Sequence, residues 1–232
     1  MSGPRAAIVT GGTGALGQAI VRRLLADGVT VTIPYIVDHE RERLLAAVGE
    51  RERARVTLER ADVTDDRIMD ALVEGVAKRH GGVHILVSAV GGFAGGALVD
   101  TDRATWERML TLNLTAVFVA ARAAVPAMIA GSYGRVVVIA SRAVVPPSGG
   151  FIAYTAAKAG AIAFTQALAA EVKAAGVTVN AVLPSTMDTA ANRAAMPTAD
   201  PRTWVPVGSV ADAVAFLAAE SSGHITGTLL AI

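Results

Sequence analysis

An α/β fold in three layers, a doubly wound parallel sheet of about seven strands with helices on both faces, is predicted by three observations. Short runs rich in valine, isoleucine and alanine alternate along the chain with longer helical stretches, the pattern of parallel strands joined by covering helices. A glycine-rich turn, TGGTGALG from Thr10 to Gly17, stands between the first strand and the first helix. The 232 residues contain no long polar break, a length that fits one domain over residues 1–232 with a substantial core.

Composition narrows the function classes. A formal net charge of +1 with no basic cluster argues against nucleic acid or an anionic membrane as the main partner. The longest apolar run, about Leu110 to Ala130, holds Asn113, Thr115 and Arg122, so it reads as a buried helix and not as a membrane span. Cysteine is absent and the amino terminus shows no signal-peptide pattern. Disulfides and thiolate chemistry are thereby excluded, and a cytoplasmic location is expected. His80 and His84 have ligand spacing, but Gly81 and Gly82 split them between two elements. No metal site is expected.

Each element follows from its residues. The first strand, Arg5 to Thr10, leads through the glycine turn into a helix from about Gly14 to Asp27. Gly12, Gly14 and Gly17 satisfy G-x-G-x-x-G in the strand–turn–helix context that lets backbone approach a pyrophosphate and offers it free helix N–H groups. The second strand, Val29 to about Ile36, ends where a carboxylate would favour NAD(H) and an arginine NADP(H). Tyr35 or Ile36 stands there; Asp38 comes two or three residues late, and His39, Arg41 and Arg43 are alternatives, so both cofactors stay open. The charged run beyond it also reads as a solvated first helical turn.

The third strand, about Arg55 to Glu59, runs into ADVTDD. Asp62 there can meet an adenine amino group or serve in capping, with Thr64 or Asp65 opening a helix to about His80. The fourth strand, Val83 to Ser88, enters SAVGGFAGG, whose glycines suit backbone passing close to a ligand. One helix is predicted from about Arg103 to Ala130, with Asn113 inside an apolar pattern and in need of partners. The fifth strand, Gly134 to Ala140, delivers Ser141 at its carboxyl end, where open parallel sheets place ligands. A helix to about Ala175 follows; its small residues allow close packing against another helix, either a subunit or the sheet. The sixth strand, Val177 to Leu183, opens into an aperiodic stretch over about 185–206 that reads as a substrate lid. A helix over about Val210 to Ala219 and a strand over about Gly227 to Ile232 complete the chain.

The stretch from Ser141 to Lys158 carries the chemistry. Tyr154 and Lys158 are four residues apart at the start of a helical run, so they share a face. Holding a phenol of pKa about 10 near neutrality takes roughly 3 units, about 4 kcal/mol. One positive charge about 4 Å away supplies on the order of 4 kcal/mol at an effective dielectric of about 20. With three tyrosines and three lysines in the chain, chance predicts only about 0.04 such pairs, and Ser141 lies thirteen residues before the tyrosine.

Ser141, Tyr154 and Lys158, with TGGTGALG, Asp62, Asn113 and Pro184, resemble the short-chain dehydrogenase/reductase family over essentially the whole chain. The resemblance implies a Rossmann sheet and hydride transfer between NAD(P)(H) and a carbonyl or secondary alcohol. It implies Tyr154 as general acid/base, Lys158 as the group that lowers its pKa and binds the nicotinamide ribose, Ser141 orienting the substrate oxygen, and Asn113 holding a water that leads to Lys158. Cofactor binding is expected from Gly11, Gly12, Thr13, Gly14, Ala15, Leu16 and Gly17 of the turn. Tyr35, Asp62 at the adenine, Val63, Ala89, Gly91, Tyr154, Lys158, Pro184, Met187, and Thr189 at the carboxamide complete that set. Substrate contacts are expected from Gly92, Phe93, Arg142, Met196 and Trp204, and a homodimer or homotetramer is the expected assembly.

Some positions depart from the family pattern. Ser88, Ala89, Val90 and Gly91 stand where Asn-Asn-Ala-Gly is common, Ala15 takes the middle glycine's place, and Ser185 follows Pro184. GGTGALG, VGGFAGG and the lid resemble quinonoid dihydropteridine reductases more closely. That branch usually lacks the serine and has an aspartate where Tyr35 stands. Ser141 favours ordinary carbonyl chemistry, and the pteridine-type activity is the alternative. An NAD(P)-sensing regulator without turnover, or a methyltransferase on the same turn, would have no use for the Ser/Tyr/Lys set.

Overall fold

The computed structural model describes residues 4–232. Its main sheet has seven parallel strands. In chain order the first half comprises β1 (Ala6–Thr10), α1 (Ala15–Ala26), β2 (Thr30–Tyr35), α2 (Asp38–Ala47), a single-turn α3 (Glu50–Arg53), β3 (Val56–Arg60), α4 (Asp66–His80) and β4 (Ile85–Ser88). The second half comprises α5 (Arg103–Leu110), α6 (Ala116–Ala130), β5 (Gly134–Ile139), α7 (Ile152–Val172) and β6 (Val177–Leu183). A short pair, β7 (Met187–Asp188) and β8 (Val205–Pro206), brackets α8 (Ala190–Ala195), and α9 (Val207–Ala218) and β9 (Leu229–Ala231) follow.

The sheet order β3-β2-β1-β4-β5-β6-β9 reverses direction at β1. A crevice therefore opens between the carboxyl ends of β1 and β4, the position where such sheets bind ligands. The central strands β1, β4, β5 and β6 are buried along their whole length, which their near-continuous apolar sequences require of a sheet covered on both faces. Successive side chains alternate between two cores. Ile8, Val136 and Val138 face the layer of α4, α6 and α7, while Val9, Val137 and Ile139 face α1 and α9.

The helical run over Arg103–Ala130 is long and apolar enough to cross a membrane by composition. It is a core helix, with Val117, Ala120, Ala121 and Ala124 buried against the sheet. It also differs from the single α-helix the sequence predicts: residues Thr111–Thr115 form a turn of π-helix centred on Asn113. α2 is a full helix where the sequence promised only a charged first turn. α9 starts about a turn earlier than expected, and α7 gives way at Lys173 to a 3-10 turn ending at Ala175. The stretch over 185–206 contains its own two-stranded ribbon and short helix, an order that hydrophobic periodicity could not register in segments of two to six residues.

Caps fix the entry points. Asp65 accepts from Ile68 N at 3.0 Å to open α4, and Asp102 accepts from Thr105 N at 2.7 Å to open α5. At the far end of the sheet, the buried guanidinium of Arg135 donates to the carbonyls of Gly134, Gly176, Ala219 and Glu220 and lies 4.4 Å over the Tyr133 ring. It ties the starts of β5 and β6 to the end of α9, leaving the opposite edge of the sheet free to carry loops.

Candidate active site

The loops after β1, β4, β5 and β6 meet at the crevice. Gly11 has φ of +68°, and a side chain there would lie 2.7 Å from the Ala89 carbonyl carbon, so the turns after β1 and β4 touch backbone to backbone. A side chain at Gly17 would stand 2.0 Å from Gly11 O; these two glycines serve the packing of the turn itself. Gly14 is exposed and caps α1 with no side-chain hydrogen bond, leaving the first helical N–H groups to an incoming anion. Gln18 Nε2 donates to Thr13 O, and Thr13 Oγ1 donates to Glu40 Oε2 at 2.8 Å.

Ser141 emerges from β5 and is 8% exposed. Its Oγ accepts from Ala143 N at 3.2 Å, a local turn that aims the hydroxyl. α7 then places Tyr154 in its first turn and Lys158 one turn later. Lys158 is 5% exposed and donates to the main-chain carbonyl of Ile139 at 2.7 Å. Burial lowers its ammonium to about 8.

Burial also raises the Tyr154 phenol, and a hydrogen bond with the Ser141 side chain opposes that rise by favouring the phenolate. A buried ammonium needs a partner, and the strand-end carbonyl of Ile139 takes the role.

Asn113 is fully buried. Its Nδ2 donates to Gly92 O and Met109 O, both at 3.0 Å, and its Oδ1 accepts from Gly92 N at 3.2 Å. The amide thus pins the loop after β4 to the π turn. A side chain at Gly91 would lie 2.8 Å from Asn113 Oδ1 and 3.4 Å from Lys158 Nζ. Glycine there keeps the space above both groups open, and the uncapped start of α1 lies at the other end of the crevice. These two features fit a nicotinamide dinucleotide.

The remaining expected residues separate by location. Tyr35 ends β2 half-buried, with Arg41 Cζ 6.0 Å from its ring centroid. Asp62 Oδ1 accepts from Thr64 N at 2.9 Å and Thr64 Oγ1 at 2.7 Å, so one oxygen serves the turn; Val63 is buried. Pro184 is buried and its carbonyl accepts from Arg142 N at 3.0 Å. Thr189 Oγ1 caps α8 through Asn192 N, and Asn192 Nδ2 donates to Met187 O. Phe93 is 66% exposed, with its ring edge-on to Tyr154 at 5.1 Å. Met196 and Arg142 are exposed and Trp204 is half-buried. The sequence missed Phe151, whose ring lies 5.9 Å from Phe93 and 6.2 Å from Tyr154. It also missed the Ile139 carbonyl and Glu40. A main-chain partner leaves no residue signature, and Glu40 was hidden in a charged run.

Comparison with known proteins decides the family. The family described as short chain dehydrogenase matches residues 5–200. The chain belongs to the short-chain dehydrogenase/reductase family. As a member it is an oxidoreductase that acts on C=O or CH–OH groups with NAD(P). It is 35% identical to nodulation protein G of Rhizobium sp. (strain N33), over 96% of this chain and 93% of that protein. It is 32% identical to the 3-oxoacyl-[acyl-carrier-protein] reductase FabG of Escherichia coli (strain K12), over 97% and 93%. Among solved structures it superimposes on NAD+-bound xylitol dehydrogenase with a TM-score of 0.89 and 25% identity, covering 98% of this chain and 97% of the other. The seven-stranded parallel sheet is the one this family's structures share.

Proposed function

We propose that this dehydrogenase interconverts a small-molecule ketone and its secondary alcohol through a Ser141–Tyr154–Lys158 proton-transfer site. The observation that carries the reading is that the buried Lys158 amine, one helical turn beyond Tyr154 on α7, bonds to the Ile139 carbonyl at the carboxyl end of β5, the strand end from which Ser141 emerges. Bound nicotinamide supplies or accepts the hydride. Tyr154 passes a proton to or from the substrate oxygen, and Ser141 holds that oxygen in line. Lys158 would hold a ribose hydroxyl of the bound nucleotide and supply positive charge on the helix face it shares with Tyr154. Asn113 keeps the loop after β4 at the height that leaves the space over Gly91 open. Phe93 and Phe151 form an apolar aromatic wall beside Tyr154, and the lid with Met196 and Trp204 closes the mouth. The same wall would suit the planar ring of a quinonoid dihydropterin, the second substrate type.

The protein is further proposed to act in the cytoplasm, in keeping with its lack of cysteine, and as a homodimer or homotetramer. The test is Tyr154→Phe. The variant should bind NADH or NADPH as the parent does while turnover falls about 10²- to 10⁴-fold, in a screen of ketones, quinones and quinonoid dihydropterin. Near-parental turnover in the variant would remove Tyr154 from the mechanism.

A further inference from the structure

At the adenosine end of the crevice, β2 ends in Tyr35 and offers no carboxylate from its last residue. The acidic side chain that reaches the glycine turn comes instead from the first turn of α2. Glu40 Oε2 accepts the hydroxyl proton of Thr13 at 2.8 Å. Thr13 is buried and Glu40 is half-buried, so this carboxylate is held at the edge of the pyrophosphate cradle. Its second oxygen, Oε1, has no hydrogen-bond partner among the described residues.

Two cations stand at this strand end, and each has a partner. Arg60 pairs with Asp38 at 3.2 Å, and Arg41 lies over the Tyr35 ring at 6.0 Å. Among the described residues, no arginine or lysine hydrogen-bonds to any residue from Gly11 to Gly17. His39 and Arg43 are exposed on α2.

In this fold the adenosine ribose lies between the glycine turn and the carboxyl end of β2. A carboxylate there accepts ribose hydroxyls and repels a 2′-phosphate, which adds negative charge at the same spot. We infer that Glu40, positioned by Thr13, is the residue that selects the cofactor, and that it selects NAD(H) over NADP(H). It does from α2 what a strand-end acid does elsewhere. The inference rests on the proposal that the crevice holds a nicotinamide dinucleotide.

The parent protein, Glu40→Gln and Glu40→Ala are titrated with NADH and with NADPH in the absence of substrate, following nicotinamide fluorescence, with thermal melting as a check on folding. The parent should bind NADH about tenfold or more tightly than NADPH, a difference of about 1.4 kcal/mol or more. Both variants should lose most of that ratio, chiefly by gaining affinity for NADPH. A parent that prefers NADPH overturns the inference, as does a ratio unmoved in both variants. Should neither nucleotide bind the parent, the dinucleotide reading falls with it. Should both bind with a ratio indifferent to position 40, only the role of Glu40 falls.

Discussion

Lys158 works against the stability of the fold that holds it. Burial lowers its amine to about 8 in the folded state, against about 10.5 when free. Below pH 8 both states carry the proton, and burying the charge costs the folded state about 3 kcal/mol at roughly 1.4 kcal/mol per pKa unit. Between about 8 and 10.5 the unfolded chain binds more protons than the folded one, so the penalty fades as pH rises. Lys158→Met should therefore melt higher than the parent at pH 7 without cofactor. The gain should be on the order of 1 to 2 kcal/mol once the Ile139 carbonyl has lost its donor. Melting curves from pH 7 to 10 should show the advantage shrinking, and a variant that melts lower at pH 7 would contradict this account. Tyr154 and Lys158 were recognisable in the sequence because their spacing is local to one helix. That the amine turns to a strand-end carbonyl was not, since the carbonyl of Ile139 comes from a strand nineteen residues earlier.

At the scale of elements, the helix carrying Asn113 shows how a regular pattern hides a local break. Its residues are apolar on most faces, so the one-residue shift of a π turn leaves no mark on the periodicity. The break places Asn113 where its amide meets both the N–H and the carbonyl of Gly92. Asn113→Ala would leave that loop without either contact, at a cost of about 1 to 3 kcal/mol. Faster hydrogen exchange at the Gly92 amide, a lower melting temperature and reduced turnover are expected together. Unchanged protection at Gly92 would show that the loop is held by something else. The glycine turn, by contrast, was legible as a turn between strand and helix, because its residues are adjacent in sequence. The stretch over 185–206 was legible only as an aperiodic segment: β7 and β8 are two residues each and exist because they pair with one another.

At the scale of the whole molecule, the outer face of α7 presents Ala159, Ala163, Ala167 and Ala170 to solvent. Beside it, Phe118 of α6 is 46% exposed and meets Phe164 edge-on at 6.4 Å. A second copy covering this face would give the proposed homo-oligomer. Light scattering should then find two or four times the chain's mass, and Ala163→Arg should shift it toward one; a monomeric parent would refute the arrangement. The sequence by itself determined the layered parallel sheet and located the glycine turn after its first strand and the positions of Ser141, Tyr154 and Lys158, all of which follow from periodicity and spacing over short stretches. Only the tertiary structure decided which partners these groups meet. Glu40 reaches Thr13 across twenty-seven residues and Gly92 reaches Asn113 across twenty-one, and the Phe93 and Phe151 rings come together from two different loops. Such contacts come from the order and twist in which strands assemble, and no local pattern of side chains encodes that order alone.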